Sequence, residues 1–510
     1  MQQIKSKTRQ LGLPALLALA SFALYSVFSF FQYRHFVTPS WDLGIFTQLA
    51  QDYARFQLPP IVEIKGAGFN LWGDHFHPIL VLLGPIYWLF PSPLTLLLVQ
   101  NALVAVSVFI MTAVAQRVLG RGVAALLGLA YALSFGVQNA VYVQFHEVAF
   151  ALPFLAASLG HLVLARAQGQ AANHLKKAVW WAMPLAFVKE DLGVTAALVG
   201  IAVILRSGWL RQAVDLLFPS ASSISAEDEK FSSRLLSTAR SWVRTPAVLE
   251  ASFLVLWGFG WSLLAMKFIL PFFNTSGVFD YADRVDLAGA LGDPLQGLGQ
   301  MFYPWQKAQS LGLLLLVGVA IWVFSPLALV ALPTLAWRFL STNEGYWDST
   351  WHYSLVLMPV VFLALADSLA GFKRPAWRAC APTVFSAVAL VVALVLTPGL
   401  PLARLADPAF ATAAASSSDQ EKQRVIDSIP AGTVVAADLS VLTYLIPDHT
   451  VYWIGHEGEP APDYVVIDSL GTAWGGNPPA DPVAYAQQRY GQVYELERQV
   501  GSISVVKKSS

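Results

Sequence analysis

Long apolar runs separated by short polar breaks occupy most of the chain, near residues 11–31, 94–117, 122–138, 148–165, 177–188, 191–206, 247–271, 309–324, 326–340, 353–372 and 379–397. A helix needs roughly 20 apolar residues to cross the hydrocarbon core of a bilayer. The pattern therefore predicts a mainly α, polytopic integral membrane protein with about eleven transmembrane helices. Runs 177–188 and 191–206 are short, and the pair meeting at Ser325-Pro326 is tight; tilt, burial among other helices or merging accounts for such lengths. The segment 78–90, PILVLLGPIYWLF, is too short to cross, and its Pro85, Tyr87 and Trp88 suit a helix lying at the headgroup level. The first run follows Lys5, Lys7 and Arg9 but ends in FSFFQYRHF without a small-residue cleavage site, so it reads as a retained span.

Beyond about residue 401 the pattern changes. A Ser-rich linker leads into a helix, QEKQRVIDSI, followed by the β-prone runs TVVAAD, TVYWIG, DYVVID and SISVVKK and a second helix near DPVAYAQQRYG. The division is a membrane domain over 1–400, with a large first loop at 32–77, and a small α/β domain over 401–510. The loop 207–246, with SASSISAEDEK, reads as partly disordered and without chemistry.

Composition agrees with a lipid environment: 56% of the 510 residues are hydrophobic and 13% are charged, against roughly 25% charged in a soluble domain. Net charge is zero, which gives no basic excess for a nucleic-acid partner, and the single cysteine, Cys380, excludes an internal disulfide or a cysteine metal cluster. With the amino terminus inside, the cytoplasmic segments hold Lys5, Lys7, Arg9, Arg117, Arg121, Arg166, Lys176, Lys177, Arg206, Arg211, Lys230, Arg234, Arg240, Arg244, Lys373, Arg374 and Arg378. The opposite loops hold about half as many cations, as the positive-inside rule requires. That orientation places Asp42, His75, His77, His146, Glu147, the run Lys189-Glu190-Asp191, WDSTWHY (Trp347 to Tyr353) and the α/β tail all outside the cytoplasm.

These groups are the candidates for chemistry. Asp42, in SWDLGIFTQ, follows the first span and reads either as a helix cap, together with Ser40, or as a general base or metal ligand. In GDHFHP, His75 and His77 are two apart; with Asp74, Asp42, Glu147 or His146 they are candidates for a metal site, for sugar or phosphate binding, or for a structural role. Ionisable groups at membrane helix ends are costly, so Glu147 and Lys189-Glu190-Asp191 read as functional or as a local ion pair closing a hairpin. His352 is a candidate phosphate or sugar contact, and Trp347 and Trp351 are stacking platforms or members of an aromatic belt. A divalent metal is compatible with these residues and not required by them.

The motifs WDLGIFTQ, DHFHPIL, PIYWLFPSP, QFHE, KED and WHY resemble a bacterial multi-pass family catalogued as a domain of unknown function and grouped with the GT-C superfamily of membrane glycosyltransferases; the resemblance covers roughly residues 10 to 470. It implies a GT-C-like fold and transfer of a sugar from a polyprenyl-phosphate donor to an acceptor outside the cytoplasmic membrane. Asp42 matches the acid of the first outer loop. Many superfamily members carry two adjacent acids there, whereas Asp42 is flanked by Trp41 and Leu43. Lys189 and His352 are the groups this chemistry selects to meet the leaving phosphate. A transporter or flippase, with polar groups at mid-membrane, and a non-catalytic scaffold are the other classes considered. The orientation has a direct test: a reporter active only outside the cytoplasm should work when fused after residues 75, 345 and 430 and stay silent after 225, and activity at 225 would overturn the arrangement.

Overall fold

The computed structural model describes residues 2–167, 171–217, 231–285, 292–372 and 375–509. Lys230, Lys373, Arg374 and the SASSISAEDEK segment lie outside the described residues. The helices run in the order α1 (Gln2–Arg34), α2 (Asp42–Ala54), α3 (Leu83–Leu89), α4 (Pro93–Leu119), α5 (Arg121–Ala132), α6 (Phe135–Tyr142), α7 (Ala151–Ala167), α8 (Ala171–Ala182), α9 (Leu192–Ser207), α10 (Trp209–Leu217), α11 (Phe231–Val243) and α12 (Pro246–Leu264), with further helices beyond.

Among the described residues, seven helical segments are long and apolar enough to cross a membrane: Leu11–Arg34, Pro93–Leu119, Arg121–Tyr142, Glu147–Ala167, Pro246–Phe273, His352–Ala370 and Cys380–Gly399. There are eight if α9 and α10, bent by 60° at their junction, count as one. The four other predicted runs form shorter pieces. Run 177–188 ends α8 in a 3-10 turn, Met183–Phe187, that contains Pro184, and α9 has 16 residues. Run 309–324 breaks after Val317, where Val319 and Ala320 both adopt left-handed backbone (φ 54° and 56°). Run 326–340 opens as the 3-10 turn Pro326–Ala331 before Leu332–Leu340. Apolar content alone does not reveal these breaks, because the residues on either side of each remain apolar whether the backbone continues as a helix or not.

Helix α4 packs against α1, α5 and α7, and α9 lies along α12. The α9–α12 approach requires glycine: a Cβ on Gly258 would run into the Gly193 carbonyl oxygen. The segment Pro78–Leu89 buries Leu80, Leu83 and Tyr87 and leaves Val81, Leu82, Ile86, Trp88 and Leu89 exposed. An apolar exposed face of this kind fits the headgroup level of a bilayer.

At one end of the bundle a buried carboxylate joins four segments. Asp367 Oδ2 accepts from Arg206 Nη2 at 2.7 Å, Arg166 Nη1 at 3.3 Å and Ser325 Oγ at 2.7 Å. Two of the arginines counted in the charge bias are thus internal fasteners. The described parts of the loop read as partly disordered form two helices, α10 and α11.

The tail forms a five-stranded sheet, β1 (Val434–Ala437), β2 (Thr450–Trp453), β3 (Tyr464–Asp468), β4 (Tyr494–Val500) and β5 (Ile503–Lys508), in the order β2-β1-β3-β5-β4. β1 runs parallel to β2 and β3, while β5 is antiparallel to β3 and β4. The predicted helices appear as Ser417–Ser428 and Pro482–Tyr490. Strand β4 and the helix Leu439–Leu445 are additional; β4, YELERQV, is a mostly exposed outer strand without an apolar face. The sheet docks on the first loop. Gln48 Nε2 donates to Val451 O at 2.8 Å, its Oε1 accepts Ile64 N at 3.1 Å, and Thr38 Oγ1 donates to Leu439 O at 3.0 Å.

Breaking a fully buried ion pair by removing one partner typically costs about 3–5 kcal/mol. Asp367→Asn should accordingly lower the thermal unfolding temperature of the detergent-solubilised protein markedly. Lys176→Ala, which removes a half-exposed pair with Glu250, should change stability by less than about 1 kcal/mol.

Candidate active site at one end of the bundle

Four polar segments, far apart in sequence, converge opposite the Asp367 cluster: the first loop, the α6–α7 turn, the turn before α9, and the turn at His352. Asp42 is the first residue of α2. Trp41 holds the N-cap position in helical backbone without a side-chain cap, so Asp42 is not consumed as the cap that the sequence also allowed. Its carboxylate keeps 27% of its side-chain surface exposed and faces His146 Nε2 at 3.5 Å.

His146 is aimed by its surroundings. Gln144 adopts a left-handed conformation (φ 73°), and its carbonyl lies 3.2 Å from His146 Nδ1. Gln100, on α4, accepts His146 N at 3.0 Å and donates to the carbonyls of Gln144 at 3.0 Å and Ala140 at 3.2 Å. With Nδ1 facing a carbonyl, Nε2 is the nitrogen turned to Asp42. Burial opposes the charge on His146, yet Asp42 and Glu147 outweigh it and raise the imidazole above its ordinary value. Burial likewise opposes ionisation of Asp42, and the His146 charge beside it holds it below the usual carboxylate range. His352 stacks on His146 with ring centroids 3.6 Å apart.

Of the remaining acids, Asp74, Glu147 and Glu190 are committed. Glu147 Oε1 accepts from Lys189 Nζ at 2.7 Å, with side-chain exposures of 3% and 12%. Burial would lower the Lys189 ammonium, but Glu147, Glu190 and Asp191 raise it well above its ordinary value. Glu190 takes His75 Nδ1 at 2.8 Å and Phe76 N at 3.0 Å; the His75 partnership overcomes burial and keeps Glu190 low. Asp74 pairs with Lys65 at 2.6 Å and accepts from Tyr281 OH at 2.9 Å. Burial would raise Asp74, but His75 and Lys65 pull it well below its ordinary value. Asp191, at the entrance of α9, has one buried oxygen without a hydrogen bond, and burial pushes it up to about 6.

Several expected roles therefore change. The Lys189 partner is Glu147 on another helix, not its sequence neighbours Glu190 and Asp191. His352 is 6% exposed and lies beneath His146 rather than on an open surface. Trp347 is 4% exposed with Lys307 Nζ over its ring at 5.4 Å, so it offers no free stacking face. His77 is buried with its ring edge against Phe46, and burial pushes it down to about 4. Among the described residues no three His, Cys, Asp or Glu side chains are arranged to hold a metal ion. Asp42, Asp74 and His75 each turn to a different partner, and the donor set does not fit a divalent site. Gln100 and Tyr281 were not marked by the sequence as site residues, Gln144 stood there only within QFHE, and Lys65 only as one of the outer-loop cations. Only Gln100 carried a signal, as a lone amide in the run LLLVQNALVAV.

The Glu147–Lys189 pair complicates any single substitution. Lys189→Met should leave Glu147 buried without a partner and reduce folded protein by an amount corresponding to about 3–5 kcal/mol. The double variant Glu147→Gln/Lys189→Met should recover a large part of that loss in thermal unfolding, and a strictly additive double would show that the two side chains do not interact.

No curated protein matches the chain. Among solved structures it is similar to ArnT from Cupriavidus metallidurans bound to undecaprenyl phosphate, at 13% identity and a TM-score of 0.46, over 98% of each chain. It is also similar to the Archaeoglobus fulgidus oligosaccharyltransferase in complex with zinc and sulfate, at 13% identity and a TM-score of 0.38, over 88% of this chain and 68% of that one. The family model DUF2079, described as a predicted membrane protein, matches residues 32–498, and the chain belongs to that family.

Proposed function

We propose that this protein is a membrane glycosyltransferase that moves a sugar from a polyprenyl-phosphate donor to an acceptor outside the cytoplasmic membrane. The observation that carries this reading is Asp42: an ionised, partly exposed carboxylate with one long contact, at the edge of a cluster whose neighbouring acids Asp74, Glu147 and Glu190 are paired and buried. An acceptor hydroxyl would give its proton to an Asp42 oxygen as its own oxygen attacks the anomeric carbon. The bond from that carbon to the phosphate oxygen breaks, and the phosphate leaves with the electron pair. The phosphate's charge then needs cations. Lys189 contributes its field from its pair with Glu147, and Lys65 and Arg284 flank the same end; Arg284 lies 4.3 Å over the Tyr281 ring and donates to Tyr346 OH at 2.7 Å. His146 keeps Asp42 ionised, and His352 supports His146 from behind.

A transporter would place its unpaired polar groups near mid-membrane, whereas the open carboxylate here sits at a helix start in the first loop. The paired acids and cations also give a scaffold no reason to leave Asp42 exposed.

Asp42→Asn preserves shape and removes no side-chain cap, and His146 can release its proton once the facing charge is gone, so this variant should lose much less thermal stability than Asp367→Asn. Its turnover should fall by roughly a hundredfold or more, the usual scale for loss of a general base. The assay is glycosyl transfer by purified protein with a synthetic polyprenyl-phosphate sugar at matched protein amounts. Because the His146 charge holds Asp42 below its ordinary value, any acid limb of the wild-type rate that belongs to Asp42 should lie below the ordinary carboxylate range, and His146→Gln should move that limb upward. An Asn variant with wild-type turnover would remove Asp42 from the mechanism.

A further inference from the structure

Helix α9 starts beside the candidate site and ends about 24 Å away, at 1.5 Å per residue. There Gly208, in left-handed backbone (φ 76°), turns the chain so that α10 leaves α9 at 60°. Helix α10 packs on α11, burying Ala213 and Thr238, and Trp209 Nε1 donates to Ser241 Oγ at 3.1 Å. The chain then returns to the membrane through α12. This helical pair is therefore tethered on both sides to apolar helices, with α10 bent 60° away from the direction of α9.

Its outer surface has an unusual composition. Leu210, Val214, Leu236 and Val243 are 45–60% exposed, and Arg211, Arg240 and Arg244 are exposed with them. On α11, Leu236, Ala239, Arg240, Val243 and Arg244 recur at helical spacing and line a groove of about 290 Å³. Its floor is apolar, and its rim carries two arginines one turn apart. Among the described residues neither arginine is in an ion pair.

We propose that the α10–α11 pair binds an anionic phospholipid, with an acyl chain along Leu236, Ala239 and Val243 and the headgroup phosphate at Arg240 and Arg244. The two charges select an anionic over a zwitterionic headgroup, and guanidinium groups match phosphate oxygens in a bidentate manner. The apolar floor between them distinguishes a lipid from a free phosphate, which has nothing to place there. The arginine stems reach along apolar surface while their heads stay at the polar level, as helices lying in the membrane interface require.

The test is binding of phosphatidylglycerol to the full-length protein in neutral detergent, followed by native mass spectrometry. Each arginine near a membrane surface contributes on the order of fivefold in affinity, so the double variant R240Q/R244Q should lose roughly thirtyfold. The variant R240K/R244K should bind more tightly than R240Q/R244Q and more weakly than wild type, since charge is retained and the bidentate match is lost. Phosphatidylcholine should not separate wild type from R240Q/R244Q, and millimolar inorganic phosphate should not displace the lipid. Equal phosphatidylglycerol binding by wild type and R240Q/R244Q would overturn the proposal. So would displacement by inorganic phosphate, which would mark a plain anion site, or dimerisation through this face that Leu236→Ser abolishes, which would mark a protein interface.

Discussion

A charge taken out of water has to meet an opposite charge, and this constraint governs the end of the bundle where the polar segments gather. Lys189, Glu190 and Asp191 are consecutive, so they cannot all neutralise one another in the geometry of a tight turn. Two of them reach to other parts of the chain: Lys189 to Glu147, and Glu190 to His75 and the Phe76 amide. These pairings lock the turn before α9 to the start of the Glu147–Ala167 span and to the first loop. The same interactions that satisfy the buried charges therefore also fix the relative position of three segments.

Asp42 gains its character from what those pairings leave over. His146 is held from three directions, by the Gln144 carbonyl, the Gln100 side chain and the stacked ring of His352, and Asp42 meets the remaining nitrogen at a long 3.5 Å. An imidazole so constrained acts as a fixed positive charge, and the carboxylate beside it retains oxygen lone pairs for another partner. The sheet at the carboxy terminus borders this place too: Trp41, next to Asp42, packs edge to face with Trp453 and with His456 at centroid distances of 4.8 and 5.0 Å.

Much of this was legible in the sequence, for physical reasons that differ by feature. Apolar runs above 18 residues are hard to mistake, and the seven long spans all fall on predicted runs. Charged residues at helix ends in an apolar chain are conspicuous, which is why Asp42, Glu147, Lys189 and Glu190 were singled out. Their partners were not legible. Lys189 to Glu147 and His75 to Glu190 depend on which helix ends meet, and local order suggested the neighbouring acids instead. The helix breaks were hidden as well, since Val319 and Ala320 have no propensity for the left-handed backbone they adopt, and nothing in their apolar run marks it. Asp367 looked like an ordinary polar residue late in a span, and nothing local linked it to Arg166, Arg206 and Ser325.

Gln48 lies on the buried side of α2, yet its amide completes the hydrogen bonding of a strand about 400 residues later. β2 is an outer strand of the sheet, and the side of it that no strand covers is answered by Gln48 at Val451. An excised tail would carry that strand edge bare, as a template open to the edge of any other strand. The carboxy-terminal sheet is thus completed at this edge by the membrane portion, and a fragment cut near residue 401 would lose the Gln48 hydrogen bond that occupies it.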